Sequence, residues 1–366
     1  MKKLVLVSIL TLLISCKASK MKEEKSTTFY VGTYTNGESE GIYQYQINPQ
    51  GVLSKIGLVA KTNNPSFLAR TKDHKTLIAV EETNKNGTGF VKSYAIHKDA
   101  LVFKSTSKSG GGHPCFVTIS DNKVLVANYT GGTIGYLQLD NQNGLTNLLA
   151  IQQHTGKGTT TRQQAPHAHS TWFHPCKKEV IAADLGTNEL WFSTINKNEN
   201  SFVFTQQKTL QMAEGAGPRH LTFHPNHQWI YVLNELNNTV SLVKEKNNTY
   251  FVDSSISMLP KGYSKYTKAA DIHISKDGRF LYASNRGHNS IVIYKVNPEN
   301  GNLELVGFES VKGISPRNFS LSLDDKFLVV ANQDSNNIVS FQRNAKTGKL
   351  IFVSEIATPN PVCILF

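Results

Sequence analysis

Cysteine is scarce in this chain: 366 residues contain four, Cys16, Cys115, Cys176 and Cys363, and no two form a CxxC pair. That count excludes a disulfide framework and the paired-cysteine zinc sites. Past Cys16, the expectation is three buried, small apolar side chains, with Cys115 and Cys363 two structural units apart. No apolar run reaches the ~18–20 residues a membrane-spanning helix requires. Basic residues are numerous, 39 Lys and Arg against 27 Asp and Glu for a formal charge of +12. They are not interleaved with aromatics, so no nucleic-acid partner is expected. Many fall in turn segments, such as Lys72, Lys177, Lys178, Lys276 and Lys326, which reads as a solvated basic surface able to attract anions. Low-complexity linkers are also missing, and the turn-forming Gly, Asn and Asp are spread evenly from about residue 30 onward.

The N-terminus differs from the rest. Lys2 and Lys3 precede an apolar run from Leu4 to Ile14, closed by Leu13-Ile14-Ser15-Cys16. The run is too short to span a bilayer and reads as a removable export signal. The segment ending at Cys16 resembles the lipobox of bacterial lipoproteins, which implies cleavage there and diacylation of the Cys16 thiol. Residues 1–16 are therefore expected to be a signal peptide, 17–27 a flexible tether and 28–366 the folded domain. The protein would be exported and membrane-anchored by lipid alone, on the periplasmic or outer-membrane side. Nothing in the sequence sets an oligomeric state.

From residue 28 a phrase of about fifty residues recurs. A small residue or proline opens a strand, a polar turn follows, and a second strand ends in Asn or an acid. Copies opening at Pro65, Pro218, Ala269 and Pro316 reach Glu81, Asn234, Asn285 and Asn332, and copies at Pro114 and Ala168 reach Asn128 and Asp184. The second strands are apolar quartets, among them Phe29-Tyr30-Val31-Gly32, Leu77-Ile78-Ala79-Val80 and Ile230-Tyr231-Val232-Leu233, and seven can be traced. A third, alternating strand and a fourth after turns such as Asn300-Gly301 complete each unit. Four strands at this period predict an all-β, seven-bladed β-propeller with four antiparallel strands per blade. The first unit lacks its own first strand, and Pro361 to Phe366 read as an orphan one, so the two termini are expected to close the ring in one blade.

In such a blade the start of the innermost strand and the end of its neighbour meet at one end of the channel. The strand-start column is Ser66, Cys115, His169, Arg219, Ala270, Arg317 and Val362, and the strand-end column is Tyr34, Glu82, Tyr129, Leu185, Glu235, Arg286 and Gln333. Small or polar residues suffice for the fold, so His169, Arg219, Glu235, Arg286 and Arg317 stand out. Glu235 and Arg219 also suit a plain interblade ion pair. His167 and His169, two apart on a strand, fall on one side of it, but no Asp or Glu completes a recognisable metal set. No metal or cofactor is implied. His220, His224, His273 and His288 read as structural, and His174-Pro175 and His224-Pro225 as turns at the far end.

The phrases VGTYT (Val31 to Thr35), GGGHPC (Gly110 to Cys115), VANYTGG (Val126 to Gly132), GPRH (Gly217 to His220), SNRGH (Ser284 to His288) and VANQDS (Val330 to Ser335) together resemble the seven-bladed lactonase family. That family contains the propeller-type 6-phosphogluconolactonase and, more distantly, carboxy-cis,cis-muconate cyclase. The resemblance implies a hydrolase acting on a small anionic sugar lactone, with muconate-type cyclisation or a non-catalytic binding propeller as alternatives. Family-matched catalytic positions are His169, Glu235, Arg219 and Arg286, with His167 competing for the histidine role. A histidine base and a cation facing the nascent oxyanion suit ester hydrolysis. On this reading His169 is the base, Glu235 orients it or substitutes for it, and Arg219 or Arg286 receives the oxyanion. The other arginine and Arg317 would hold a phosphate or carboxylate, with His167, Tyr129, Asn128 and Gln333 as further substrate-binding candidates and Tyr34 as another possible hydroxyl reader.

Overall fold

An apolar quartet such as Ile230-Tyr231-Val232-Leu233 offers no polar face to solvent, so a strand made of it must be covered on both sides. The computed structural model, which describes residues 25–98 and 100–366, meets that demand with seven four-stranded antiparallel sheets set as blades around a channel. In the fifth blade, Ile230 and Val232 pack with Ile181, Ala183 and Phe192 of the fourth, while Tyr231 and Leu233 pack with Leu281, Ala283 and Tyr294 of the sixth. Alternate residues of one strand serve two interfaces. The core is accordingly a ring of layers between blades, and the described residues contain no α-helix.

Within a blade the strands run outward from the channel in chain order, as in Pro218–Phe223, Trp229–Asn234, Thr239–Lys246 and Thr249–Ser257 of the fifth. The first blade is the exception. Its order is Pro361–Leu365, Thr27–Thr33, Gly41–Ile47 and Leu53–Lys61, so both chain ends share one sheet and close the ring as anticipated. Val31 pairs with Ile364 and Gly32 with Cys363. Phe29, Ile364 and Phe366 then join Phe327 and Val329 in the layer between first and seventh blades. A Cβ on Gly32 would fall 2.3 Å from the Pro65 carbonyl oxygen, so this approach of the first blade to the second requires glycine.

Some expectations are corrected. The innermost strand of the second blade begins at Leu68 rather than Pro65, since Asn64 takes a left-handed φ of 42° and Pro65 has no N–H for the ladder. Cys115 and Cys363 are buried, but Cys176 is exposed because the turn after the first strand of the fourth blade runs over the surface. The signal and lipidation assignments, Cys16 included, lie outside the described residues.

Candidate active site

In every blade but the second, the pairing of the innermost strand slips by one residue where it reaches the channel mouth. Pro218 pairs with Asn234 and His220 with Leu233, leaving Arg219 without a ladder partner. The same slip skips His169, Arg317, Cys115 and Val362 in their blades, and in the sixth blade it covers Ala270 and Asp271. A bulge re-aims the extra residue, which accounts for a column of side chains aimed at the channel. Gly217 ties one such bulge to its neighbour. It has φ +66°, and a Cβ there would fall 2.6 Å from Leu236 Cγ. Its carbonyl accepts the Glu235 N–H at 2.7 Å.

Glu235 is buried among guanidinium groups. Its Oε2 lies 2.9 Å from Arg286 Nη2 and 3.1 Å from Arg219 Nε, and its Oε1 lies 3.4 Å from Arg162 Nη2. Arg286 also donates to the Ala269 carbonyl at 2.9 Å, and Arg219 donates to the Ala270 carbonyl. Burial pushes the Glu235 carboxyl up, but Arg286, Arg219, Arg162 and Arg317 outweigh it and hold it at about 2. Burial, then Arg286 and Arg317, push Arg219 down to about 10. Glu235 is thus a fixed anion that lets several arginines share a dry space. So low a value makes it a poor proton acceptor at neutral pH, and among the described residues no hydrogen bond joins it to His169.

His169 is buried beside Cys115, with Nδ1 3.7 Å from the sulfur. The thiol lies 3.4 Å from the His169 carbonyl, to which it donates, leaving a sulfur lone pair to accept an Nδ1–H. That tautomer leaves the Nε2 lone pair free, and Nε2 has no hydrogen-bond partner among the described residues. The ring meets Tyr129 and His220 edge to face at 5.4 Å each. Burial, then Arg219, His220 and Arg317, push its pKa well below 6.5, so the imidazole is neutral at pH 7. His167 is placed differently, stacked on Tyr129 at 4.5 Å and donating from Nδ1 to the Tyr129 carbonyl at 3.0 Å.

Across the channel, Arg317 donates to the Tyr34 hydroxyl at 2.8 Å and Tyr34 donates to Glu82 at 2.8 Å, with Ser66 on the same carboxylate oxygen. Behind His169, the Asp271 carboxylate accepts from His220 at 2.8 Å, His273 at 2.9 Å and Asn318 at 2.6 Å. Burial and Arg219 push His220 down to about 4 despite that carboxylate. Asn128 departs from the expected binding role. It is fully buried, and its amide donates to the Ser109 carbonyl at 3.0 Å and Thr133 Oγ1 at 3.1 Å, bracing the third blade. Gln333 is half-buried at its strand end, and no side-chain hydrogen bond ties it to the cluster among the described residues.

Two participants escaped the column reading. Arg162 lies on the connector between the third and fourth blades, outside both columns, and the length of the segment between Gln153 and Ala168 was the available signal. Asp271 was hidden because the bulge of its blade holds two skipped residues. In formal charge, Arg162, Arg219, Arg286 and Arg317 exceed Glu82 and Glu235 at the mouth, with Asp271 deeper. Such a surplus attracts an anion, a free imidazole nitrogen can take a proton from water, and guanidinium N–H groups can receive an oxyanion.

Fold and site together define a seven-bladed propeller with a cationic channel mouth bearing a neutral histidine. The chain belongs to the family described as "Lactonase, 7-bladed beta-propeller", which matches residues 28–366. It is 36% identical to the 6-phosphogluconolactonase of Bacillus subtilis (strain 168) over 346 residues, 92% of this chain and 97% of that protein. The crystal structure of a putative 6-phosphogluconolactonase from Bacteroides fragilis superposes with a TM-score of 0.87 at 32% identity, covering 94% of this chain and 98% of that one. A structure described as the periplasmic gluconolactonase of Pseudomonas aeruginosa gives a TM-score of 0.88 at 28% identity, covering 93% and 98%.

Proposed function

We propose that the protein hydrolyses a sugar-acid lactone carrying an anionic substituent, with 6-phospho-D-glucono-1,5-lactone as the reference substrate, giving the ring-opened acid. The observation that carries this reading is the arginine surplus around Glu235 and Arg317, set beside a histidine with a free Nε2. Nε2 of His169 takes a proton from water as the oxygen attacks the lactone carbonyl, and Arg219 or Arg286 donates to the oxyanion that forms. Collapse of the tetrahedral species breaks the ring C–O bond, and the imidazolium returns its proton to the leaving oxygen. The arginines that disfavour imidazolium are offset in this step by the oxyanion formed beside them. In the same reading the protein is an exported lipoprotein acylated at Cys16, supported by the Lys2 to Cys16 pattern. A pH-stat assay on D-glucono-1,5-lactone and its 6-phosphate ester tests the activity. Acceleration over spontaneous hydrolysis is expected, and its absence on both would favour a binding propeller.

A further inference from the structure

Two of the four arginines at the mouth are committed by the fold to an ion pair and a backbone carbonyl. Arg219 and Arg286 are buried, each donating to a backbone carbonyl of the sixth blade and standing against Glu235. Arg317, on an innermost strand and partly buried, donates from Nη2 to Tyr34, itself held by Glu82, and lies over the Tyr34 ring. Arg162 differs. It sits on a connector instead of a sheet, and its side chain is 42% exposed where those of Arg219 and Arg286 are 3% and 9%. Its contacts run through one nitrogen, Nη2, to Tyr129 Oη at 2.9 Å and Glu235 Oε1 at 3.4 Å. Its Nε and Nη1 have no hydrogen-bond partner among the described residues.

The connector that carries it is nevertheless anchored. His154 Nδ1 lies 2.7 Å from Asp184 Oδ2, and its ring stacks on Trp191 at 4.2 Å. Gln163, next to Arg162 and fully buried, donates to the Leu185 carbonyl at 2.8 Å and Asn188 Oδ1 at 3.1 Å. The Gly158 N–H donates to the Gln163 carbonyl at 2.9 Å. Residue 162 is therefore held in place while its guanidinium reaches into the mouth with Nε and Nη1 unengaged among the described residues. Nη1 is free beside Nη2, so release of the long Glu235 contact opens a planar edge suited to two-pronged contact with phosphate or carboxylate.

We propose that Arg162 is a substrate-binding residue that reads the distal anionic group of the lactone and so sets the preference for a phosphorylated or carboxylated substrate over a neutral one. The proposal rests on the lactonase reading of the channel. With the reacting carbonyl held between His169 and the buried arginines, the far end of the sugar points outward, where Arg162 waits. The long contact to Glu235 yields readily because the guanidinium is partly solvated.

The test measures initial rates of wild type, Arg162→Ala and Arg162→Lys on D-glucono-1,5-lactone and its 6-phosphate ester, with spontaneous hydrolysis subtracted. For Arg162→Ala, kcat/KM on the phosphate ester should fall by about 10- to 150-fold, the range of a lost charged hydrogen-bond pair. The loss should come mainly through KM and exceed that on the neutral lactone at least tenfold. Arg162→Lys should recover part of it. D-glucaro-1,4-lactone, which carries a carboxylate, shows which anion is preferred. Equal losses on charged and neutral lactones would overturn the proposal, reducing Arg162 to a prop for Tyr129 and Glu235. Wild type inactive on every lactone would instead sink the hydrolytic reading. Calorimetric binding of 6-phosphogluconate would then decide Arg162 alone, with weakened affinity in Arg162→Ala expected and unchanged affinity overturning the assignment.

Discussion

Removing the charge of Glu235 would leave Arg219 and Arg286 facing one another in a buried space with no anion between them. Glu235→Gln should therefore cost about 3 kcal/mol of stability by denaturant titration and lower kcat by about 100-fold or more, because the oxyanion donors lose their fixed geometry. Near wild-type turnover would remove Glu235 from the site. For His169 the direction of the shift sets the pH behaviour. An imidazole whose pKa lies well below 6.5 remains a base as pH falls, so the acid limb of kcat/KM should lie well below 6.5. A bound anion beside Arg219 and Arg317 relieves part of the repulsion, so the limb in kcat should lie higher than the limb in kcat/KM. A shared limb at 6.5 would contradict both expectations. Stability should follow the same groups. His169, His174 and His220 stay neutral in the folded state below pH 6.5, the latter two down to about 4, while the unfolded chain takes up protons. The free energy of unfolding should then fall as pH drops from 6.5 toward 4, by at most about 4 kcal/mol per pH unit if all three contribute. A flat profile over that range would show that these histidines are not buried neutral.

At the scale of the strand, the repeat made both columns legible, because position within a blade fixes the end of the channel a residue approaches. Side-chain direction was not legible. Strict alternation puts His167 and His169 on one side of a strand, and only the bulge between Ala168 and Ser170 separates them, sending one into the channel while the other stacks on Tyr129. The bulge is a matter of pairing with a neighbouring strand, which no local pattern displays. Asn128 misled for a related reason: a polar strand end suits a binding site and a buried brace equally well. The two-residue bulge of the sixth blade carries a further prediction. Asp271 gathers His220, His273 and Asn318, on strands of the fifth, sixth and seventh blades. Asp271→Leu would strand those donors, and a loss of about 3 kcal/mol is expected from denaturant midpoints. A loss below about 1 kcal/mol would mean that the network is not what joins these blades.

For the whole molecule, ring closure fixes where the termini leave the body. The strand Thr27–Thr33 ends beside Tyr34 at the mouth and begins at the opposite face, where Lys25 and Thr27 share a shallow cavity with Asn48, Pro49, Ser322 and Phe327. A chain tethered through Cys16 would then present its arginine-lined mouth away from the membrane, open to soluble lactones. Two outcomes follow from that geometry. Wild-type protein expressed with its N-terminus intact should partition into a detergent phase, whereas Cys16→Ser should lose acylation and its detergent partitioning. Lactone turnover per folded molecule should match between the two, because the described chain begins at Lys25 on the side opposite His169 and Glu235. Identical partitioning would remove the lipid anchor from the reading, and a changed turnover would mean that the N-terminal segment reaches the mouth after all.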